Sequence, residues 1–251
     1  MQLSSITPLI LTYNEESNIR RCLERLVWAS RVVVIDSGST DETLSICGKF
    51  PNVEVIHRDF DSFAAQCNAG LLEIHSEWAL SMDADYVVPI DFPERIESLD
   101  PSPDGYRFPF RYCIAGRPLR ACLYPARTIL YRRTSATYQD DGHGHKVEIN
   151  GPVKELATRI DHDDRKPLSR WLDSQRKYAR LEADKMSRES KGSGMPDRLR
   201  RRIWPAVPAA FLYTLFVKRL ILDGWPGLFY VLQRTYAELL LSLELLERKL
   251  R

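Results

Sequence analysis

Four apolar runs lie in the first 85 residues, and a helical pattern fills each gap between them. The runs are Ile6–Thr12, Arg31–Ile35, Val53–Ile56 and Trp78–Met82. Val32 to Ile35 shows no polar alternation, so it reads as a strand buried on both faces. After the first run, Ile19, Cys22, Leu23, Leu26 and Val27 recur at helix spacing. Ser39 followed by Glu42 has the form of a capping box and is expected to open the second helix. Ser62 to Ile74 reads as the third helix. This alternation predicts an α/β fold: a mostly parallel sheet with right-handed crossovers and helices on its faces.

Past residue 86 the pattern changes. Residues 86–165 are rich in Pro, Gly and aromatic residues, with short β signals near 105–112, 128–132 and 146–149. An amphipathic helix follows Pro167, with Leu168, Trp171, Leu172, Tyr178 and Ala179 on its stripe. Lys191–Pro196 has the composition of a hinge. These breaks divide the chain into a domain over residues 1–190, with halves 1–90 and 91–190, and an extension over 191–251.

The net charge of +2 hides an asymmetry. Residues 191–251 hold eleven Lys and Arg against five Asp and Glu, whereas residues 1–190 hold 25 against 29. Arg198-Leu199-Arg200-Arg201-Arg202 directly abuts Ile203–Val217, fifteen residues without a charge. A spanning helix needs about 20 apolar residues, so this run is too short to cross a bilayer. A basic cluster beside an apolar, aromatic run (Trp204, Phe211, Tyr213, Phe216, then Trp225) instead predicts a helical extension lying partly in a membrane interface. The competing reading is a helix pair buried on its own domain. The five cysteines form no CxxC pair, and buried thiols in a reducing compartment are expected. The opening residues show no basic region followed by an apolar core, which predicts a cytoplasmic location.

Asp83-Ala84-Asp85 stands directly after the fourth strand. Ligands of open α/β sheets bind beyond the carboxyl ends of the strands. Strand alternation would put both carboxylates on one side, where they can share a hard cation, Mg²⁺ or Mn²⁺. Such a cation bridges the phosphates of a nucleotide-sugar and offsets charge on the departing diphosphate. Asp36 ends the second strand and Glu15 follows the first, so three acidic turns are expected at one sheet edge. There Asp36 could also accept the imide N–H of uracil. A glycine-flanked stretch, Tyr138–Glu148, offers Asp141 as general base, with Asp140 and Glu148 behind it. His143, His145 and His162 could contact a metal or a diphosphate.

Thr12-Tyr13-Asn14-Glu15-Glu16, Val34–Thr43, Phe63–Gly70 and Asp83-Ala84-Asp85 together resemble glycosyltransferase family 2 in order and spacing. The resemblance covers about residues 6–90, with weaker similarity through Asp141–His145 to His162, as in small lipopolysaccharide-core and exopolysaccharide enzymes. It implies a GT-A fold and an inverting, metal-dependent transfer. By it, Thr12, Tyr13, Glu15, Asp36, Asn68 and Asp83 would bind the nucleotide-sugar, and Asp85, Asp83 and His143 the metal. It also implies a UDP-sugar donor, a lipid-linked glycan acceptor, and peripheral attachment to the inner face of a membrane, with no nucleic acid among the partners. Relatives carry a His-Glu pair where this chain has His145-Lys146.

Two other readings compete. A nucleotidyltransferase shares the sheet and the paired carboxylates, but Leu11–Glu16 has neither the glycine nor the lysine of a triphosphate loop. A non-catalytic nucleotide-binding scaffold would bind the donor without turning it over.

Overall fold

The structure, a computed structural model, describes residues 1–141, 144–188 and 195–251. His143 and most of the hinge-like stretch 191–196 lie outside the described residues. Two compact units are formed, Met1–Cys113 with Tyr124–Arg165, and Ile114–Leu123 with Lys166–Arg251.

The first unit is built on strands β1 (Ile6–Thr12), β2 (Val32–Asp36), β3 (Val53–His57) and β4 (Trp78–Asp83). Helices α1 (Ile19–Glu24), α2 (Thr43–Cys47) and α3 (Phe63–Leu72) follow the first three strands in turn. Then come β5 (Tyr86–Val87), α4 (Phe92–Glu97), β6 (Gly105–Phe108) and β7 (Phe110–Ile114). After the short β8 (Arg117–Pro118), the chain forms β9 (Arg127–Arg132), β10 (Ala136–Asp141) and β11 (Gly144–Ile149). Strands β12 (Val153–Glu155) and β13 (Ile160–His162) complete the set.

The main sheet has the order β12-β6-β9-β4-β1-β2-β3. Strands β4, β1, β2 and β3 run parallel, as the strand–helix alternation predicts, while β9 turns the sheet antiparallel beside β4. Pro8 lacks the N–H a ladder needs, and it stands just before pairing with β2 begins at Leu9. The hydrophobic core lies on both faces. Ile10, Val32, Val34, Leu80 and Met82 face one side with Cys22, Leu23 and Phe92. Leu9, Val33, Ile35 and Ala79 face the other with Ala64, Cys67 and Leu71 of α3. Helix α3 can sit this close because Gly70 has no Cβ. One built there would lie 2.4 Å from Leu9 Cδ1 and 3.2 Å from Ile35 Cγ1.

One local expectation fails. Ser39 does not cap α2; its hydroxyl bonds Asp36 instead, and the helix begins at Thr43 with no side-chain cap. The hydroxyl donates its proton to the buried carboxylate and its oxygen accepts the Asn14 N–H at 2.8 Å, so it is spent before the first turn of α2.

The second unit holds α5 (Leu168–Arg188), α6 (Met195–Arg201), α7 (Ala206–Leu212) and α8 (Gly224–Leu250). The compact boundary falls after Arg165. Buried Ala183 and Met186 of α5 pack with Leu241 and Leu245 of α8, and Trp171 stacks 6.0 Å from Tyr236. Pro205 and Pro208 stand at the start of α7, where backbone N–H groups have no intrahelical partner to lose. Among the described residues no helix is long and apolar enough to cross a membrane.

Candidate active site

At the carboxyl ends of β1 and β2 two loops are tied together through Asp36. Its Oδ1 accepts from Thr12 Oγ1 (3.0 Å) and Ser39 Oγ (2.5 Å), and its Oδ2 from the N–H groups of Gly38 (2.9 Å) and Ser39 (2.8 Å). Gly38 takes φ +85°, the left-handed conformation that lets the chain fold back over the carboxylate. Four donors thus occupy the acceptor sites of a carboxylate that is 1% exposed. An incoming imide N–H would have to displace one of them. Asn14 Oδ1 accepts from Thr40 N–H at 2.7 Å, and Glu15 N–H donates to Thr43 Oγ1 at 2.7 Å. Tyr13 remains 54% exposed at the rim, with its ring open to solvent.

The Asp83–Asp85 segment differs from a continued strand. β4 stops at Asp83, and Ala84 and Asp85 form a turn into β5, so the two carboxylates do not share a side by strand alternation. Tertiary structure supplies the placement instead. Asp163 N–H donates to the Asp85 carbonyl at 3.0 Å, and His162 Nε2 lies 3.1 Å from Asp85 Oδ2. His162 is packed among Tyr86, Tyr112 and Tyr124, with ring centroids 4.5–5.6 Å away. Burial favours the neutral imidazole, but Asp85 outweighs it and raises the His162 pKa above its ordinary value. Burial also opposes the charge on Asp83, yet Arg127 and His145 hold its carboxyl below the usual range.

Asp85 Oδ1 and His162 Nδ1 are buried and have no hydrogen-bond partner. A buried carboxylate oxygen without a donor costs free energy unless a ligand satisfies it. Carboxylate oxygens are the donor type that a hard divalent cation takes. Among the described residues no three His, Cys, Asp or Glu side chains are already gathered as a metal cage.

Side chains that the sequence did not single out hold His162 in place. Arg21 is ion-paired to Asp163, and its Nη2 donates to Asn18 Oδ1 at 2.8 Å. Asn18, 1% exposed, in turn donates from Nδ2 to Glu15 Oε2 and Asp164 Oδ1, both at 2.9 Å. Glu15 therefore anchors the segment that carries His162. The only local hint was a charged run, Asp163-Asp164-Arg165, directly after a β signal.

The hairpin β10–β11 forms a third wall, resting on α3. Asn68 Nδ2 donates to the Tyr138 carbonyl at 3.0 Å, and Asn68 Oδ1 accepts Tyr138 N–H at 2.9 Å, so its amide extends the backbone ladder. Asp140 Oδ1 accepts from Ala64 N–H at 3.2 Å. His145, opposite Asp140 in the hairpin register, stacks on Phe63 and Tyr138 at 5.9 and 5.3 Å. Burial lowers its pKa, which favours a neutral ring at pH 7. Period-2 alternation places Asp141 and Gln139 on the opposite face, and Gln139 Nε2 donates to Glu148 Oε2 at 2.8 Å.

Comparison with known proteins bears on these loops directly. Residues 8–116 match the family model described as Glycosyl transferase family 2. "Glycosyltransferase GlyA" of Streptococcus pneumoniae is 31% identical over 96 residues, 37% of this chain and 13% of that protein. "Lipopolysaccharide core biosynthesis glycosyltransferase LpsC" of Rhizobium meliloti is 26% identical over 84 residues, 32% of this chain and 31% of that protein. The chain thus spans less than a third of the length of either relative. Among solved structures, S. aureus TarS 1–349 in complex with UDP-GlcNAc superposes with a TM-score of 0.52 and 16% identity, covering 95% of this chain and 90% of that one. That likeness establishes the fold as GT-A-like. The segment that matches the family 2 model, residues 8–116, holds both the Asp36 loop and the Asp83–Asp85 turn.

Proposed function

We propose that the protein transfers a sugar, with inversion, from a UDP-sugar to a hydroxyl of a lipid-linked or polysaccharide glycan acceptor. The observation that carries this reading is the buried, unpartnered Asp85 oxygen beside His162, at the carboxyl edge of a family 2 segment. Support for the donor comes from the UDP-GlcNAc held by TarS, and for the acceptor from the lipopolysaccharide-core role in the name of LpsC. Thr12, Tyr13, Glu15 and the loop ordered by Asp36 form the nucleoside side of the site. Asp83 and Asp85, with His162, would hold Mg²⁺ or Mn²⁺, which would neutralise charge on the leaving diphosphate. The acceptor hydroxyl loses its proton to a carboxylate of the β10–β11 hairpin, with Asp141 assigned as base, as it attacks the anomeric carbon. Asn68 acts on the donor through the hairpin that it fastens to α3. The test is turnover of a panel of nucleotide-sugars with manganese and with chelator. Release of nucleoside diphosphate only with metal, fastest from one UDP-sugar, is expected. Binding without any turnover across the panel would instead favour the scaffold reading.

We further propose that the second unit lies on the inner face of a membrane, near a lipid-linked acceptor. Trp204 and Trp225 are 81% and 82% exposed, and Phe216, Val217, Ile221 and Leu222 are exposed with them. Arg198, Arg202 and Arg219 are exposed in the same unit, whereas Arg200 is paired to Glu238 at 3.0 Å and contributes less. Each lipid-facing basic residue adds about 1 kcal/mol at an anionic leaflet, screened within about 8 Å at physiological salt. The protein should sediment with anionic vesicles and come off partly in high salt. Trp204→Ala with Trp225→Ala should remove the salt-resistant part. Equal partitioning onto neutral vesicles would sink the electrostatic half of the idea.

A further inference from the structure

Several arginines of the first unit are held by a carboxylate. Arg21 is paired with Asp163, Arg111 with Asp161, and Arg132 with Glu77. Arg127 departs from this pattern. It opens β9, the antiparallel neighbour of β4, whose last residue is Asp83. Its guanidinium carbon sits 4.9 Å from the centroid of the Tyr124 ring. The residue is half-buried, yet it has no hydrogen-bond acceptor for its side chain and no ion-pair partner among the described residues.

A guanidinium carries five N–H donors in a planar fork and keeps its charge at any physiological pH. Withdrawing it from water without an acceptor is unfavourable, and stacking on one tyrosine face returns only part of that cost. Tyr86, whose hydroxyl is hydrogen-bonded to that of Tyr124, closes the same corner. Asp83 is near enough to feel the charge of Arg127, but the two are not in ion-pair contact. An unpaired, aromatic-backed fork beside the Asp83 turn is suited to an oxyanion that arrives with a ligand.

We propose that Arg127 binds the diphosphate of the nucleotide-sugar donor, through hydrogen bonds from its guanidinium to phosphoryl oxygens that it retains as the leaving group departs. This rests on the glycosyl-transfer reading above and adds a residue outside the segment matched by the family model. Because Tyr124 orients the plane of the fork, lysine should replace Arg127 poorly: it supplies charge without a bidentate geometry.

Calorimetry with UDP and with uridine, on the full chain, tests the proposal. Arg127→Gln should weaken UDP binding about ten- to a hundredfold, the range of a charge-assisted hydrogen bond, and leave uridine binding unchanged. Arg127→Lys should recover only part of the loss. Both variants should melt no lower than the parent, because a half-buried charge without a partner has been removed or made more mobile. Unchanged UDP affinity in Arg127→Gln, beside a parent that binds UDP, would overturn the role of Arg127 alone. Equal weakening of UDP and uridine, or a marked fall in melting temperature, would make Arg127 structural and overturn it too. A parent that binds neither ligand would overturn the underlying reading, and this proposal with it.

Discussion

Asp85→Ala is expected to lower sugar transfer about a thousandfold while leaving the fold as stable as before, or slightly more so. The activity loss follows from the site chemistry. Polarising a leaving diphosphate contributes several kcal/mol at the transition state, and about 1.4 kcal/mol is tenfold in rate. The stability forecast follows from one atom. Asp85 Oδ1 is buried and unpartnered, and such an oxygen costs about 1–3 kcal/mol in the folded state. Alanine removes that cost, although it also frees His162 from its 3.1 Å contact. Thermal unfolding and calorimetry with UDP, each with manganese and with chelator, separate the outcomes. In the parent the metal should strengthen UDP binding, and in the variant that increment should vanish. A variant that unfolds several degrees earlier, with the metal increment intact, would make Asp85 a structural residue.

Asp141→Asn is expected to reduce turnover about a hundredfold or more without changing donor affinity, the usual worth of a positioned general base. Asparagine keeps the shape of the side chain and loses its capacity to take a proton. In the same hairpin Asp140 accepts from the Ala64 N–H and Glu148 from Gln139. Single-turnover rates at saturating UDP-sugar isolate the chemical step. Should Asp140→Asn or Glu148→Gln show the loss while Asp141→Asn does not, the base moves to that residue.

Local pattern was enough to place the scaffold of this site. Val32–Ile35 leaves little choice of element, because an apolar β-branched run of that length fits best inside a sheet. The carboxyl ends of the strands then place Thr12, Asp36 and Asp83 along one edge, since β1, β2 and β4 run parallel. Competition between partners was less legible. Ser39 and Glu42 satisfy the spacing of a cap, but the hydroxyl donates to Asp36 and accepts from the N–H of Asn14, 25 residues away. Asn68 stands in a motif that resembles a donor site, yet both ends of its amide are engaged with the backbone of Tyr138, 70 residues away.

The sequence by itself determined the parallel α/β sheet, the Asp83-Ala84-Asp85 turn at its edge, and the concentration of basic and apolar side chains near the C-terminus. Those features depend on periodicity and composition within short windows, where backbone geometry alone dictates which residues share a face. Only the tertiary structure decided that His162, 77 residues from Asp85, reaches that carboxylate, and that Arg21, Asn18 and Glu15 hold it there. It alone left Arg127 without a carboxylate and Asp85 with a bare oxygen. Whether a buried polar group is satisfied depends on all the elements packed around it, and no window of the sequence contains them together.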